Sequence, residues 1–180
     1  LNKHGMLTKF ILPESEINGT EVEDDEMDDF VSKPGSPNGF GLLGNDQNAI
    51  EPEKRMLSSM TPTIVLKEGT PYLITGSPGG STIITTVLQM ILNVIDYDMT
   101  IQDASERPRF HHQWYPDVIV MEAKHDPNII LQLENRGFKT KKKSLGISQS
   151  ILIKGDDVTG QSDPRNETSS TQFISLDSLK

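Results

Sequence analysis

No cysteine occurs among the 180 residues, so disulfides, zinc ribbons and thiol nucleophiles have no place in this chain. No apolar run approaches the roughly twenty residues that a membrane-spanning helix needs. Basic residues are in deficit, 17 Lys and Arg against 26 Asp and Glu, for a net charge of −9 and a pI near 4.9. Proteins that grip phosphate backbones gather Lys and Arg on one face. The single basic cluster here, Lys139, Lys141, Lys142 and Lys143, is short and reads as a solvated strand or loop, which argues against nucleic acid as a partner. Hydrophobic residues are also lean, at 34% with a mean hydropathy of −0.43. That supports one compact domain, or part of a larger one, with polar segments outside the core. The start, Leu1-Asn2-Lys3-His4, has neither an initiator Met nor a signal peptide and reads as a chain entered in mid-sequence.

Residues 1–25 are irregular, with a short strand expected at Phe10-Ile11-Leu12 and an acidic stretch from Glu14 to Asp29. A Gly/Pro-rich passage, Lys33 to Gly39, forbids a long regular element. Beyond it, Thr63–Lys67 and Tyr72–Thr75 form a hairpin pattern across Glu68-Gly69. Apolar residues at helical spacing predict a helix over Thr82–Tyr97 with Ser81 as its N-cap. A shorter helix is expected over Ile101–Arg107, opened by Thr100 and stopped by Pro108. A strand over Val118–Glu122, a helix over Asn128–Arg136 closed by Gly137, and a hairpin of Ser148–Lys154 with Val158–Ser162 complete the pattern. No clean βαβ repeat is visible, and residues 166–180 read as a Ser/Thr-rich disordered tail. Two sequons, at Asn18 and Asn166, are of the kind common by chance.

Gly76-Ser77-Pro78-Gly79-Gly80-Ser81 lies between a strand and a helix. Glycines there admit positive φ and let a ligand approach the backbone. Amides at a helix start are unpaired, with the positive end of the helix dipole behind them. A phosphate loop needs a Lys before its Ser or Thr, and none is present. A plain structural turn and an oxyanion hole for acyl transfer both remain open on chemistry alone. His111-His112 invites a metal reading, but adjacent histidines share no helix face and no further ligand lies at a suitable spacing. Residues Phe110–Trp114 read as scaffold around the pocket. The acidic run lacks the EF-hand alternation, and no cofactor is implied.

Five blocks occur in order: Glu26-Met27-Asp28-Asp29-Phe30, Lys54 to Thr63 with Leu57-Ser58-Ser59-Met60 inside it, Gly76 to Ser81, Arg107 to Trp114, and Ser162-Asp163-Pro164-Arg165. Together they resemble the signature blocks of γ-glutamyltransferases (glutathione hydrolases), in the small-subunit region, over residues 26–165. The resemblance implies an α+β fold, the four-layer αββα sandwich of N-terminal-nucleophile hydrolases, with only its C-terminal part in this chain. It also implies a precursor that cleaves itself to free a threonine nucleophile whose own α-amine is the base. That threonine, and an arginine for the substrate α-carboxylate, would lie upstream, in the large subunit or the segment before Leu1.

Residue by residue, the resemblance implies Gly79 and Gly80 as the oxyanion hole and Ser58 and Ser59 as α-carboxylate donors. Asp29, helped by Glu26, would hold the α-ammonium, and Asn2 would touch it as well. A glutamyl group carries one ammonium and one carboxylate at its α-carbon, so a fixed anion beside fixed donors is the chemistry required. Implied substrates are glutathione and related γ-glutamyl amides, with amino acids or peptides as acceptors, in a secreted, periplasmic or cell-surface setting. Two other readings stay open: a non-catalytic remnant of the family, and an acylase of the same superfamily acting on glutaryl-type groups. Between Lys3 and Asp25 the sequence departs from the family pattern, and Met56 stands where a Pro is usual.

Overall fold

In the computed structural model, residues 6–7, 30–31, 33–38, 41–55 and 61–171 are described. The elements, in chain order, are β1 (Met6–Leu7), β2 (Thr63–Lys67), β3 (Thr70–Gly76), α1 (Ile83–Ile95), α2 (Ile101–Glu106) and β4 (Phe110–His111). They continue with β5 (Ile119–Met121), α3 (Pro127–Asn135), β6 (Thr140–Lys142), β7 (Gln149–Lys154) and β8 (Asp157–Ser162). The fold is α+β, as expected. The strand expected at residues 10–12 lies outside the described residues.

Five strands form an antiparallel sheet in the order β1-β2-β3-β7-β8. Both predicted hairpins are present. Glu68 and Gly69 turn the first at φ 53° and 84°, the left-handed pair that a two-residue hairpin loop favours. Period-two alternation sends Val65, Leu73 and Leu152, adjacent in register, to one face. There they meet Met90, Val94 and Ile95 of α1 and Ile101 and Ala104 of α2. Each of the larger side chains contributes about 1.5–3 kcal/mol by its burial. On the same face Thr75 and Ser150 share a hydroxyl hydrogen bond at 2.7 Å. The opposite face carries Ile64, Ile74 and Ile151 in one cross-strand row, with Ile64 and Ile151 exposed.

Thr100 opens α2 as predicted, its side chain accepting from Asp103 N–H at 3.1 Å. Asp126 caps α3, and Gly137 follows it at φ 90°. The entry to α1 differs from expectation. Ser81 is not its cap but lies inside a 3-10 turn, Gly80–Thr82, and the helix starts at Ile83 with no side-chain cap. The reason is local: Thr82 turns its hydroxyl back to donate to Gly79 O at 2.8 Å, which carries the loop into the helix through a tight turn.

A second, three-stranded sheet has the order β4-β5-β6. Its β5-α3-β6 portion is a parallel crossover. The strand and helix expected over Val118–Glu122 and Asn128–Arg136 are present, but their closure against the three-residue β6, too short to show a period, was not foreseen. β6 is the basic cluster, and its Lys141 and Lys142 are exposed. Within the expected tail Glu167 and Thr168 form a turn, where Asn166 Oδ1 accepts from Thr168 N–H and Oγ1–H.

Candidate active site

The β2–β3 register decides what lies beside the glycine loop. Thr63 pairs with Thr75, so Pro62 sits opposite Gly76, where a Cβ on Gly76 would come 3.9 Å from Pro62 Cα. The stretch that follows Ser58-Ser59 therefore runs alongside the entry to Gly76–Ser81. Three chain steps lead from Ser59 to Pro62, a reach of at most about 11 Å. Ser58, Ser59, Asp29, Glu26 and Asn2 themselves lie outside the described residues. What adjoins Asp29 is firmly held: Phe30 is buried, and Val31 N–H donates to Asn48 O at 2.8 Å.

Gly79 has φ 140° and Gly80 φ 54°, in a loop where Gly79 is exposed and Gly80 half-buried. Among the described residues no acceptor pairs with either amide. A Cβ at Gly79 would stand 2.6 Å from Thr82 Oγ1, so glycine is required there for space as well as for φ. Ser77 braces the loop by accepting from Ile147 N–H at 2.9 Å and donating to Pro78 O at 2.7 Å. The brace passes through Gly146, at φ 61°, where a Cβ would come 2.4 Å from Thr86 Oγ1 and 2.9 Å from Ser77 Oγ. Two bare donors on a fixed turn ahead of a helix can stabilise negative charge developing on a carbonyl oxygen.

Behind Gly146 lies a buried ionic cluster to which the sequence reading assigned no role. Arg109 and Asp163 are each 1% exposed and pair at 2.7 Å. Arg165 reaches Asp163 Oδ1 at 3.0 Å and grips Glu122 with two donors. Asp163 also accepts from Ser148 N–H at 2.7 Å, and Glu122 from Arg109 N–H at 2.8 Å and Leu145 N–H at 3.0 Å. Burial by itself raises the Glu122 and Asp163 carboxyls. Hydrogen bonds and charge from Arg165 and Arg109 more than offset it, and both are held below the ordinary carboxylate range. Burial likewise lowers the Arg109 guanidinium, while Glu122 and Asp163 overcome the same penalty and raise Arg165. The sequence signal was available, since Arg109, Asp163 and Arg165 all sit in the quoted blocks.

The histidines resolve as scaffold. His111 is buried, with Nδ1 bonded to Thr85 Oγ1 and Nε2 to Gln113 Oε1, at 2.8 and 2.9 Å. His112 faces Asp117 at the surface. Among the described residues no group of three His, Asp or Glu is placed to hold a metal.

A family model described as gamma-glutamyltranspeptidase matches residues 22–173. This chain belongs to that family. It is 52% identical over 143 residues to the glutathione hydrolase proenzyme of Escherichia coli (strain K12), covering 78% of this chain and 25% of the relative. The Pseudomonas aeruginosa proenzyme is 40% identical over 146 residues, covering 78% and 26%. The chain thus spans about a quarter of the length of these relatives. Among solved structures, γ-glutamyltranspeptidase from Pseudomonas nitroreducens superposes with a TM-score of 0.77 at 40% identity, covering 83% of this chain and 80% of that one. The T380A mutant of the Helicobacter pylori enzyme gives 0.75 at 43%, covering 89% and 92%. The helices and five-stranded sheet seen here are accordingly part of the αββα sandwich of N-terminal-nucleophile hydrolases.

Proposed function

We propose that this chain, completed by the upstream part of its precursor, catalyses γ-glutamyl transfer and hydrolysis. The observation that carries the proposal is the pair of amides at Gly79 and Gly80, unpartnered among the described residues and held on a braced turn next to the strand that follows Ser58-Ser59. An upstream threonine Oγ attacks the γ-carbonyl carbon of a donor such as glutathione, its own α-amine taking the proton. The carbonyl oxygen becomes an oxyanion against Gly79 and Gly80. Collapse expels the amine of the leaving peptide with a proton and leaves a γ-glutamyl ester on the threonine. Water or the amine of an amino acid or peptide then attacks that ester and regenerates the hydroxyl.

Asp29, with Glu26 and Asn2, takes the substrate α-ammonium, while Ser58 and Ser59 take the α-carboxylate. Leaving either charge buried without its partner costs several kcal/mol, so the site rejects donors that lack the α-groups. The partner is the large-subunit portion of the same precursor, and the setting is secreted, periplasmic or cell-surface. Turnover of γ-glutamyl-p-nitroanilide by the complete protein tests the reading. Asp29→Ala should abolish it, and unchanged turnover would remove the ammonium role and favour a glutaryl-type acylase. No turnover by the intact protein would leave a non-catalytic remnant.

A further inference from the structure

The end of the five-stranded sheet beside the glycine loop breaks the pattern of the rest. β7 is a central strand, between β3 and β8, and one face of it carries Ile151 in a row with Ile74 and Ile64. Two residues before Ile151, on the same face, stands Gln149, directly opposite Gly76. Gln149 is exposed, and among the described residues nothing bonds its carboxamide. Its polar neighbours are committed internally. Thr75 bonds Ser150, Ser148 bonds Asp163, Gln161 donates to Ser162 O, and Ser162 bonds Thr171.

Among the described residues nothing demands a glycine at position 76. Its φ is not positive, and a Cβ there would meet only Pro62 Cα, at an ordinary 3.9 Å. A strand glycine that neither a turn nor packing requires marks a close approach from outside. The open floor of Gly76 and Gln149 leads straight to the glycine turn. Ile147 N–H is held by Ser77 Oγ, and a Cβ on Gly79 would stand 3.6 Å from Gly146 Cα. Residues 146–149 therefore wall the turn on its β7 side, as the stretch before Pro62 does on its β2 side.

We propose that Gln149 binds the peptide on the far side of the scissile bond: the leaving cysteinylglycine of glutathione, and the peptide acceptor that replaces it. The inference rests on the functional reading above, which puts the carbonyl oxygen at Gly79 and Gly80 and the glutamyl α-groups toward Ser58-Ser59, on the β2 side. Oxygen and glutamyl chain take two of the three directions around the planar carbonyl carbon. The amine takes the third, toward β7. Strands lie about 4.8 Å apart and an extended chain advances about 3.3–3.6 Å per residue, so the first peptide bond beyond the amine passes over Gln149. A carboxamide has an N–H donor and a C=O acceptor, the same pair that a peptide bond presents, and the two bond reciprocally. A free amino acid offers no such bond. The subsite thus selects peptides over single amino acids.

Gln149→Leu keeps the bulk and removes both hydrogen-bonding groups at an exposed position. In the complete protein γ-glutamyl-p-nitroanilide supplies the acyl group, and glycylglycine competes with water for the ester. The ratio of transfer to hydrolysis at a fixed, subsaturating glycylglycine concentration should fall about ten-fold, the scale of a lost neutral hydrogen-bond pair. With free glycine as acceptor the ratio should move less than about two-fold, because no peptide bond is there to lose its partner. General damage to the fold lowers both fluxes together and leaves the ratio as it was. An unchanged ratio, or an equal fall with glycine, overturns the proposal. Where the protein does not turn over, capture decides. Gln149→Cys offers a thiolate that displaces one half of cysteinylglycine disulfide and retains the other. Its rate with that reagent relative to hydroxyethyl disulfide should exceed the same quotient for Lys141→Cys, on exposed β6, by about ten-fold. Equal quotients overturn the subsite. Selective capture without turnover keeps the subsite and removes the transferase, whereas turnover with an unchanged ratio removes the subsite alone.

Discussion

Two neighbouring regions handle their polar groups in opposite ways. Around Arg109, three buried charges and the half-buried Arg165 are paired with one another, and each carboxylate accepts backbone N–H groups as well. Around Gly79, two backbone donors have no partner among the described residues, although the loop holding them is braced on both sides. Leu145, Gly146 and Ile147 connect the two: Leu145 touches both Arg109 and Glu122, and Ile147 holds Ser77. A satisfied buried network gives rigidity, whereas an unsatisfied donor costs stability and is kept where a ligand completes it. The ionic cluster is therefore the footing, and the loop is the working surface.

The largest effect should come from the footing. Arg109→Met leaves Asp163 short of its buried partner and should cost about 3–5 kcal/mol of stability in the complete protein. Thermal unfolding reads the loss, while turnover per folded molecule should hold. A variant that unfolds normally but loses activity would break the division just drawn. Acid should reproduce the same loss gradually. Both carboxyls are depressed, so their contribution is complete above the unfolded-state values of about 4 and declines as pH falls through the lower folded values. Chemical denaturation between pH 6 and pH 2 should show that fall, and Asp163→Asn should flatten it.

At the loop the sign reverses. Gly79→Ala meets both a φ of 140° and a Thr82 oxygen 2.6 Å away, so the turn must shift. Turnover should fall about a hundred-fold or more, with KM for γ-glutamyl-p-nitroanilide little changed, as when an oxyanion donor is lost. A change confined to KM would assign the loop to ground-state binding. Smallest is Ser77→Ala, which leaves Ile147 N–H without its acceptor at a cost of about 1–3 kcal/mol. Thermal unfolding checks that figure, and faster amide exchange confined to residues 77–82 and 146–148 would sharpen the link between the two regions.

Local pattern alone carried much of this molecule. Period-two alternation and two-residue turns located both hairpins, Thr100 opened α2 and Gly137 closed α3, because those devices act between residues close in sequence. The ordered blocks supplied the family and the glycine loop. Ser81 was misplaced because the tight turn at Gly80 depends on one hydroxyl choosing Gly79 O, which composition does not specify. Strand β5 was expected over Val118–Glu122, but β4 and the pairing of β5 with β4 and β6 were hidden because two or three residues show no period.

Long-range partnership was beyond reach from the chain alone. Nothing in residue order says that Arg109 meets Asp163 54 positions later, or that Ile147 restrains Ser77 70 positions earlier. Nor does it say which side of an uncharged helix its own body will cover. Sequence settled which groups could bear charge, turn tightly or donate. Tertiary structure settled which of them were paired and which were left open, because satisfaction depends on what folding brings within hydrogen-bond reach.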